Sequence, residues 1–111
     1  MAGKFELKRN DKGQFHFNLK AGNGQIILTS GTYAAKLDAL GGIDAVRRHA
    51  QDDTRFVRKQ SVQGEPYFVL KSANGEAIGK SEMYAGHSAL ETGIASVKSH
   101  ATEARIEDLS G

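Results

Sequence analysis

The stretch Lys20-Ala21-Gly22-Asn23-Gly24 recurs 51 positions later as Lys71-Ser72-Ala73-Asn74-Gly75, and Ile27 falls on Ile78 at the same displacement. Internal repetition at a fixed spacing indicates that one structural unit is used twice. We therefore predict a tandem duplication, with repeats at residues 5–50 and 56–101. The match continues without a gap through Phe5 on Phe56, Phe17 on Phe68, Leu19 on Leu70, Tyr33 on Tyr84, Gly42 on Gly93, Val46 on Val97 and Ala50 on Ala101.

The Asn-Gly dipeptide lies between apolar segments in both repeats and is a strong hairpin signal. A two-residue type I′ loop would pair Leu19 with Leu28. The second repeat, however, has Gly79 in place of Leu28, whereas Ile27 is kept as an isoleucine. We therefore predict a three-residue loop, Gly22-Asn23-Gly24, with Gly24 in the left-handed region and Leu19 opposite Ile27.

A helix follows three predicted antiparallel strands in each repeat. Its apolar residues recur at i, i+4, i+7 and i+11, so one face is expected to pack on the sheet. Ser88 followed by Glu91 predicts a capping box at the second helix, and Asp38 is the expected cap of the first. A glycine inside each helix costs about 1 kcal/mol relative to alanine, which predicts close contact with another element, the sheet or the sister helix. The apolar stripes are Ala39, Ile43, Val46 and Ala50, and Leu90, Ile94, Val97 and Ala101.

The last extended segment, residues 105–109, has no repeat after it and must join a sheet that is already formed. By symmetry it should lie against the first repeat and exchange ends with the strand around Phe56. The predicted fold class is α+β, with residues 1–111 as a single domain. Two tandem three-strand-plus-helix repeats form one antiparallel sheet with exchanged terminal strands, and two helices pack on it.

Composition limits the classes of protein to which the chain can belong. Its 111 residues include no cysteine, which removes disulfides and favours a reducing compartment. No apolar run approaches the length of a membrane span, and no leader is evident, so a cytoplasmic protein without a membrane partner is expected. Residues 1–50 contain eight Lys and Arg against four Asp and Glu, whereas residues 51–111 contain seven against nine. The first repeat is therefore the basic one.

A family resemblance is carried by three stretches: Lys20-Ala21-Gly22-Asn23-Gly24-Gln25-Ile26-Ile27-Leu28-Thr29-Ser30, Lys71-Ser72-Ala73-Asn74-Gly75, and Gly93-Ile94-Ala95-Ser96-Val97-Lys98. Over essentially its whole length the chain resembles the YegP-like proteins, small bacterial proteins of unknown function. The resemblance implies tandem units in one sheet with exchanged terminal strands, and it implies that single-unit relatives can dimerise into the same shape. It implies no reaction and no catalytic residues. Leu37 departs from the pattern by offering no Ser or Thr cap.

Catalytic, metal and cofactor signatures are absent from the sequence. No Gly-x-Ser-x-Gly elbow occurs, and the glycines of Gly22-Asn23-Gly24 lack the spacing of phosphate-binding loops. His49 and His100 end their helices at matching positions, where a cationic imidazole would favour the negative end of the dipole. Without cysteine or a converging set of ligands, a metal site is not expected. We predict no enzymatic activity and no cofactor.

Six residues form the candidate partner surface: Tyr33, Tyr84, Lys20, Lys71, His16 and Tyr67. The tyrosines at 33 and 84 have a structural interpretation, in which the ring shields the core edge and the hydroxyl finds a hydrogen bond. They have a functional one too, as the flanks of a groove for an extended partner. The other four would form a basic and aromatic surface if they share one open face.

We expect a non-enzymatic binding or interaction module that uses an open sheet face or edge to bind an unknown protein partner. The alternative is a weak nucleic-acid-binding protein that uses the basic first repeat. A monomer is expected, and the terminal strand would also allow a strand-swapped dimer.

Overall fold

The computed structural model describes residues 3–110 and contains seven strands and two α-helices. A single 3₁₀ turn, Asp53–Arg55, connects the repeats. The strands are β1 Lys4–Arg9, β2 Phe15–Lys20, β3 Ile26–Thr29, β4 Phe56–Gln60, β5 Pro66–Lys71, β6 Ala77–Lys80 and β7 Arg105–Asp108; the helices are α1 Lys36–His49 and α2 His87–Ala101. The predicted architecture, two three-strand-plus-helix repeats in one sheet, is confirmed.

The seven strands form one sheet in the order β4-β5-β6-β3-β2-β1-β7. The two repeats meet at β3 and β6, where Thr29 pairs with Lys80. These two residues are equivalent in the duplication, because they are 51 positions apart. The pseudo-twofold axis that relates the repeats therefore passes between them.

The last strand crosses to the first repeat, as predicted, but its direction differs from the prediction. β7 pairs with β1 in parallel, with Phe5 opposite Ile106, so the sheet is antiparallel everywhere except at this edge. The reason is where α2 ends: the His100 ring lies beside Gly3, at the start of β1. The chain leaves the helix at that end and must run in the same direction as β1. At the opposite edge, β4 pairs with β5 of its own repeat.

Both helices pack on one face of the sheet and share one hydrophobic core. Inward side chains alternate along the strands with residues that point to the opposite face, as period-two strands require. We refer to that opposite face as the helix-free face. The fully buried core includes Phe5, Leu7, Phe17, Leu19, Leu28, Ile43, Val46, Phe68, Leu70, Leu90 and Val97.

The hairpin loop forms as predicted, but the predicted strand register is wrong. Ala21 N donates to Gln25 O at 2.9 Å, and Gly24 has φ +85°, so residues 22–24 form the loop. A register shift follows between Leu19 and Lys20, and Leu19 pairs with Leu28. Ile27 is thus the extra residue of a β-bulge, which lets two consecutive residues of β3 remain buried.

The predicted helix caps are also wrong. α1 begins after Ala35 and α2 after Gly86, and neither residue makes a side-chain capping bond. Asp38 and Ser88 lie inside the first turns instead. Glu91 does not close a capping box, because its carboxylate accepts two hydrogen bonds from the Arg58 guanidinium at 2.6 and 2.8 Å. A bidentate charged pair of this kind is stronger than a neutral cap bond.

Candidate functional site

Tyr33 and Tyr84 lie on the helix side of the sheet. Tyr33 stacks on Phe17 with ring centroids 6.3 Å apart, and its equivalent stacks on Phe68 at 6.2 Å. Each phenol ring covers the glycine inside the helix of its own repeat: a Cβ on Gly42 would come within 2.9 Å of the Tyr33 Cζ atom. A close contact is present at each glycine, as predicted, but its main partner is the tyrosine of the connection before the helix and not the sister helix; Phe17 of the sheet also lies close to Gly42.

Both tyrosine rings are half-buried, and their surroundings are similar in the two repeats. Burial raises the pKa of the Tyr33 hydroxyl, and the carboxylates of Asp38 and Glu76 raise it further. Burial raises the pKa of Tyr84 as well. Tyr84 borders a depression of about 360 Å³ between α2 and the first hairpin, lined by Asn23, Gln25 and Ser96 among others. Within residues 3–110 neither hydroxyl makes a hydrogen bond, so that part of the structural interpretation is not met.

His100 links α2 to the first hairpin. The Gly22 N–H donates to Nε2 of His100 at 3.3 Å, and Nδ1 of the same ring lies 2.8 Å from the Ser96 carbonyl oxygen. The first bond needs an unprotonated Nε2, and the second needs a proton on Nδ1. Both ring nitrogens are thus used in contacts, Nε2 with the first hairpin and Nδ1 with α2 itself.

His16, Lys20, Tyr67 and Lys71 all lie on the helix-free face, because they alternate with the buried residues of β2 and β5. They do not form one cluster. Two strands lie between β2 and β5 in the sheet, so the axes of β2 and β5 are about 14 Å apart. These strands also run in opposite directions, so Lys20 and Lys71 lie at opposite ends of the sheet.

A single row of paired residues crosses the helix-free face and changes character from one edge to the other. It is acidic at the first repeat, polar at the centre and apolar at the second repeat. Cross-strand neighbours on one face interact directly, so the row sets the local chemistry. From β7 to β4 its members are Glu107, Glu6, Asn18, Thr29, Lys80, Val69 and Val57.

Glu6 lies among three lysines of the first repeat on this face. Its side chain is only 7% exposed and lies 3.0 Å from the Lys20 Nζ atom, 3.4 Å from Lys4 and 3.6 Å from Lys8. The hydrogen bond from Lys20 is the main cause that holds the pKa of the Glu6 carboxyl below its usual range. Lys4 also contacts Glu107, and these two carboxylates raise its pKa. Each of these three lysines thus has a carboxylate within 4 Å, and the two carboxylates balance part of their charge.

The second repeat lacks that carboxylate. Val57 stands at the position equivalent to Glu6, and Val69 stands at the position of Asn18. Lys59, Lys71 and Lys80 remain on the helix-free face, and within the described residues 3–110 none of them makes an ion pair or a side-chain hydrogen bond. The available cations of this face therefore lie in the second repeat, although the sequence assigns the positive net charge to the first.

Tyr67 and Val69 lie among these three lysines. Tyr67 pairs with Lys59 across the strands, and the Lys80 Nζ atom lies 5.9 Å from the centroid of its ring. Val69 pairs with Lys80 and is buried, yet it lies outside the main core. Beside them, along the seam between the repeats, is an open depression of about 450 Å³ lined by Thr29, Ser30, Gly31, Val69, Ala77, Gly79 and Lys80. We call Lys59, Lys71, Lys80 and Tyr67 the second-repeat cluster.

Sequence analysis identified Lys71 and Tyr67 but missed Lys59 and Lys80. A signal for both was present, because they alternate with inward residues in segments already predicted as strands. The missing step was to compare the charges of equivalent residues in the two repeats, which reveals the change from Glu6 to Val57. No group of three or more potential metal ligands occurs in the part of the chain that the structure describes, and none of its helices is long and apolar enough to span a bilayer.

Comparison with known protein families shows to which family this chain belongs. The family described as a domain of unknown function (DUF1508) matches the chain twice, at residues 10–56 and 61–108. The chain belongs to this family. Each match to DUF1508 contains one copy of the duplicated hairpin and helix and extends past the end of the predicted repeat, and the resemblance to YegP-like proteins is confirmed.

Relatives in the DUF1508 family span the same length as this chain. A UPF0339 protein of Pseudomonas aeruginosa is 50% identical over 110 residues, which is 99% of this chain and 100% of the relative. YegP of Escherichia coli K12 is 47% identical over 108 residues, covering 97% of this chain and 98% of YegP. None of these names states an activity.

Two solution NMR structures have the same fold. That of E. coli YegP, described as a protein of unknown function, has a TM-score of 0.94 at 47% identity and covers 100% of this chain and 96% of YegP. That of a UPF0339 protein of Shewanella oneidensis has a TM-score of 0.93 at 40% identity, with coverage of 99% and 93%. The biochemical function of this DUF1508 chain is therefore unknown, and nothing in these relationships indicates catalysis.

Proposed function

We propose that this protein is a non-enzymatic binding module and that it binds an anionic, extended ligand on the helix-free face of its sheet. One observation carries the proposal: the second-repeat cluster presents Lys59, Lys71 and Lys80 without carboxylate partners within residues 3–110. Lysines that are not neutralised locally attract anions and increase their rate of association.

The shape of the face supports a binding role. The helices cover the other side of the sheet, so the helix-free face is open to an extended ligand across its whole width. Its exposed side chains are mainly lysines, whereas acidic groups such as Asp44, Asp53 and Glu91 are paired on the helix side. The protein is thus electrostatically two-sided, and an anionic ligand is favoured on one side only.

The arrangement also supports a binding role without catalysis, in a monomer. Catalytic groups typically combine a concave pocket with titratable residues whose pKa values are strongly shifted. The depression beside the second-repeat cluster is open to solvent. The titratable residues of the cluster are three lysines and one tyrosine. All seven strands find partners within one chain, so the face is complete without a second copy.

Polyphosphate is a suitable probe, because it carries phosphate charge without any base or side chain. Calorimetric titration at 50 and 200 mM salt should show binding that weakens steeply as salt rises. The triple variant Lys59→Gln, Lys71→Gln and Lys80→Gln should lose most of this affinity. A control with the same loss of charge on the helix side, Lys36→Gln, Arg48→Gln and Lys98→Gln, should lose much less. Absence of binding at 50 mM salt, or equal losses in the two triple variants, would overturn the proposal.

A further inference from the structure

We propose that the ligand is single-stranded nucleic acid and that it binds at the second-repeat cluster, with a base stacked on Tyr67. This inference rests on the proposed function, since it names the ligand of the same face. Net charge favours the first repeat as the site for nucleic acid, whereas this inference places the ligand on the second repeat.

The duplication itself provides the argument for the location. Lys8 and Lys59 are equivalent, as are Lys20 and Lys71. In the first repeat both lysines contact Glu6, at 3.6 and 3.0 Å, so a phosphate would have to compete with a carboxylate already in place. In the second repeat Val57 replaces that carboxylate. The same two lysine positions are therefore available for a ligand in one repeat and occupied in the other.

The geometry of the cluster fits a single strand better than a duplex. Tyr67 is half-buried at the surface of the face, and Lys80 lies over its ring at 5.9 Å. Lys59 lies beside Tyr67, Lys80 beside Val69, and Lys71 two residues further along β5. The lysines thus follow the strand at steps of two residues, about 7 Å each. A cationic track beside an aromatic ring is the arrangement that binds single strands, whose bases are exposed, whereas a duplex hides them.

The depression at the seam extends this track toward the centre of the sheet. It begins at Val69 and Lys80 and continues past Thr29, Ser30 and Gly31. Val69 and Ala77 contribute apolar side chains to its lining, and Thr29 and Ser30 contribute residues with hydroxyl groups. A nucleotide next to the one on Tyr67 would therefore find both an apolar surface and hydrogen-bonding groups.

Stacking of a base on Tyr67 is tested by comparing the affinities of a short single-stranded oligonucleotide and of polyphosphate, measured by fluorescence anisotropy and competition. Tyr67→Ala should lower the affinity for the oligonucleotide at least about fivefold, because stacking on the ring is lost. It should leave the affinity for polyphosphate unchanged. Tyr67→Phe should retain oligonucleotide binding, since a phenyl ring stacks as well.

The test for the location uses matched lysine variants. Lys59→Gln with Lys71→Gln should reduce the slope of log affinity against log salt by about 1.4, at about 0.7 for each phosphate contact of a single strand. Lys8→Gln with Lys20→Gln removes the same net charge at equivalent positions and should change the slope much less. Circular dichroism and thermal melts confirm that each variant is folded.

The outcomes separate this inference from the proposed function. If polyphosphate binds but the oligonucleotide does not, or if Tyr67→Ala has no effect on the oligonucleotide, the inference is wrong and the proposed function stands. If the two double lysine variants lose equal affinity, the location is wrong. If neither probe binds at low salt, the proposed function and the inference both fail.

Discussion

Leu28 and Gly79 occupy equivalent positions beside the pseudo-twofold axis, and the side chain of Leu28 fills the space that a side chain at 79 would need. A Cβ on Gly79 would lie 2.7 Å from both the Cγ and the Cδ2 atom of Leu28. Leu28 is fully buried. Because both positions point to the same place in the core, only one of them can carry a large side chain, so this difference between the repeats is a packing requirement.

Gly79→Ala should therefore destabilise the protein by about 1–3 kcal/mol, the typical cost of overpacking a core. Leu28→Ala should cost about 2–5 kcal/mol through the cavity that it leaves. In the double variant the new methyl group occupies part of that cavity. The combined loss should thus be smaller than the sum by at least about 0.5 kcal/mol, as measured by urea denaturation. Strict additivity would show that the two residues do not compete for space.

Gly93→Ala tests the ring that covers the helix glycine. A Cβ there would lie 2.6 Å from the Tyr84 Cζ atom, so the substitution should lower the free energy of unfolding by about 1–3 kcal/mol. Gly41 provides the control, since it lies in α1 with nothing within 4 Å of its Cβ position. Gly41→Ala should raise stability by about 0.5–1 kcal/mol through helix propensity. Stabilisation by both substitutions would refute the tight contact with Tyr84.

Glu6 makes stability depend on pH. Its carboxyl has a lowered pKa in the folded protein, so its contribution is present above the unfolded value near 4.5 and is lost as pH falls through the lower folded value. Glu6→Gln should cost about 1 kcal/mol at pH 7, and the difference from the wild type should shrink as pH falls below about 4.5. Denaturation curves at several pH values measure this. Glu103→Gln, at an exposed position, is the control, and a pH-independent gap for Glu6→Gln would contradict the account.

The sequence predicts features that depend on periodicity within one repeat. Alternation predicts β2 and β5, the apolar stripe predicts α1 and α2, and the glycines at 42 and 93 predict close contacts. Each of these signals is local or is repeated 51 residues away, so two copies support each prediction.

Other features depend on contacts between distant segments. The parallel direction of β7 follows from where α2 ends, and the bulge at Ile27, which recurs at Ile78, appears only once the strands of each hairpin are paired. The capping box fails because Arg58, on β4, binds Glu91. The candidate site was predicted only in part for the same reason. Net charge counts every lysine equally, whereas the folded chain places Lys4, Lys8 and Lys20 beside Glu6 and leaves the lysines of the second-repeat cluster without a carboxylate partner within residues 3–110.

The most direct test of the account is a map of backbone amide shifts by NMR as a single-stranded oligonucleotide is added. The account predicts that the largest shifts lie on the second repeat, at residues 57–59, 67–71 and 77–80. The equivalent residues 6–8, 16–20 and 26–29 should shift less, and the outer surfaces of α1 and α2 should not respond. Shifts centred on the helices, or shifts of equal size on the two repeats, would contradict a binding face that depends on the absence of a carboxylate at Val57.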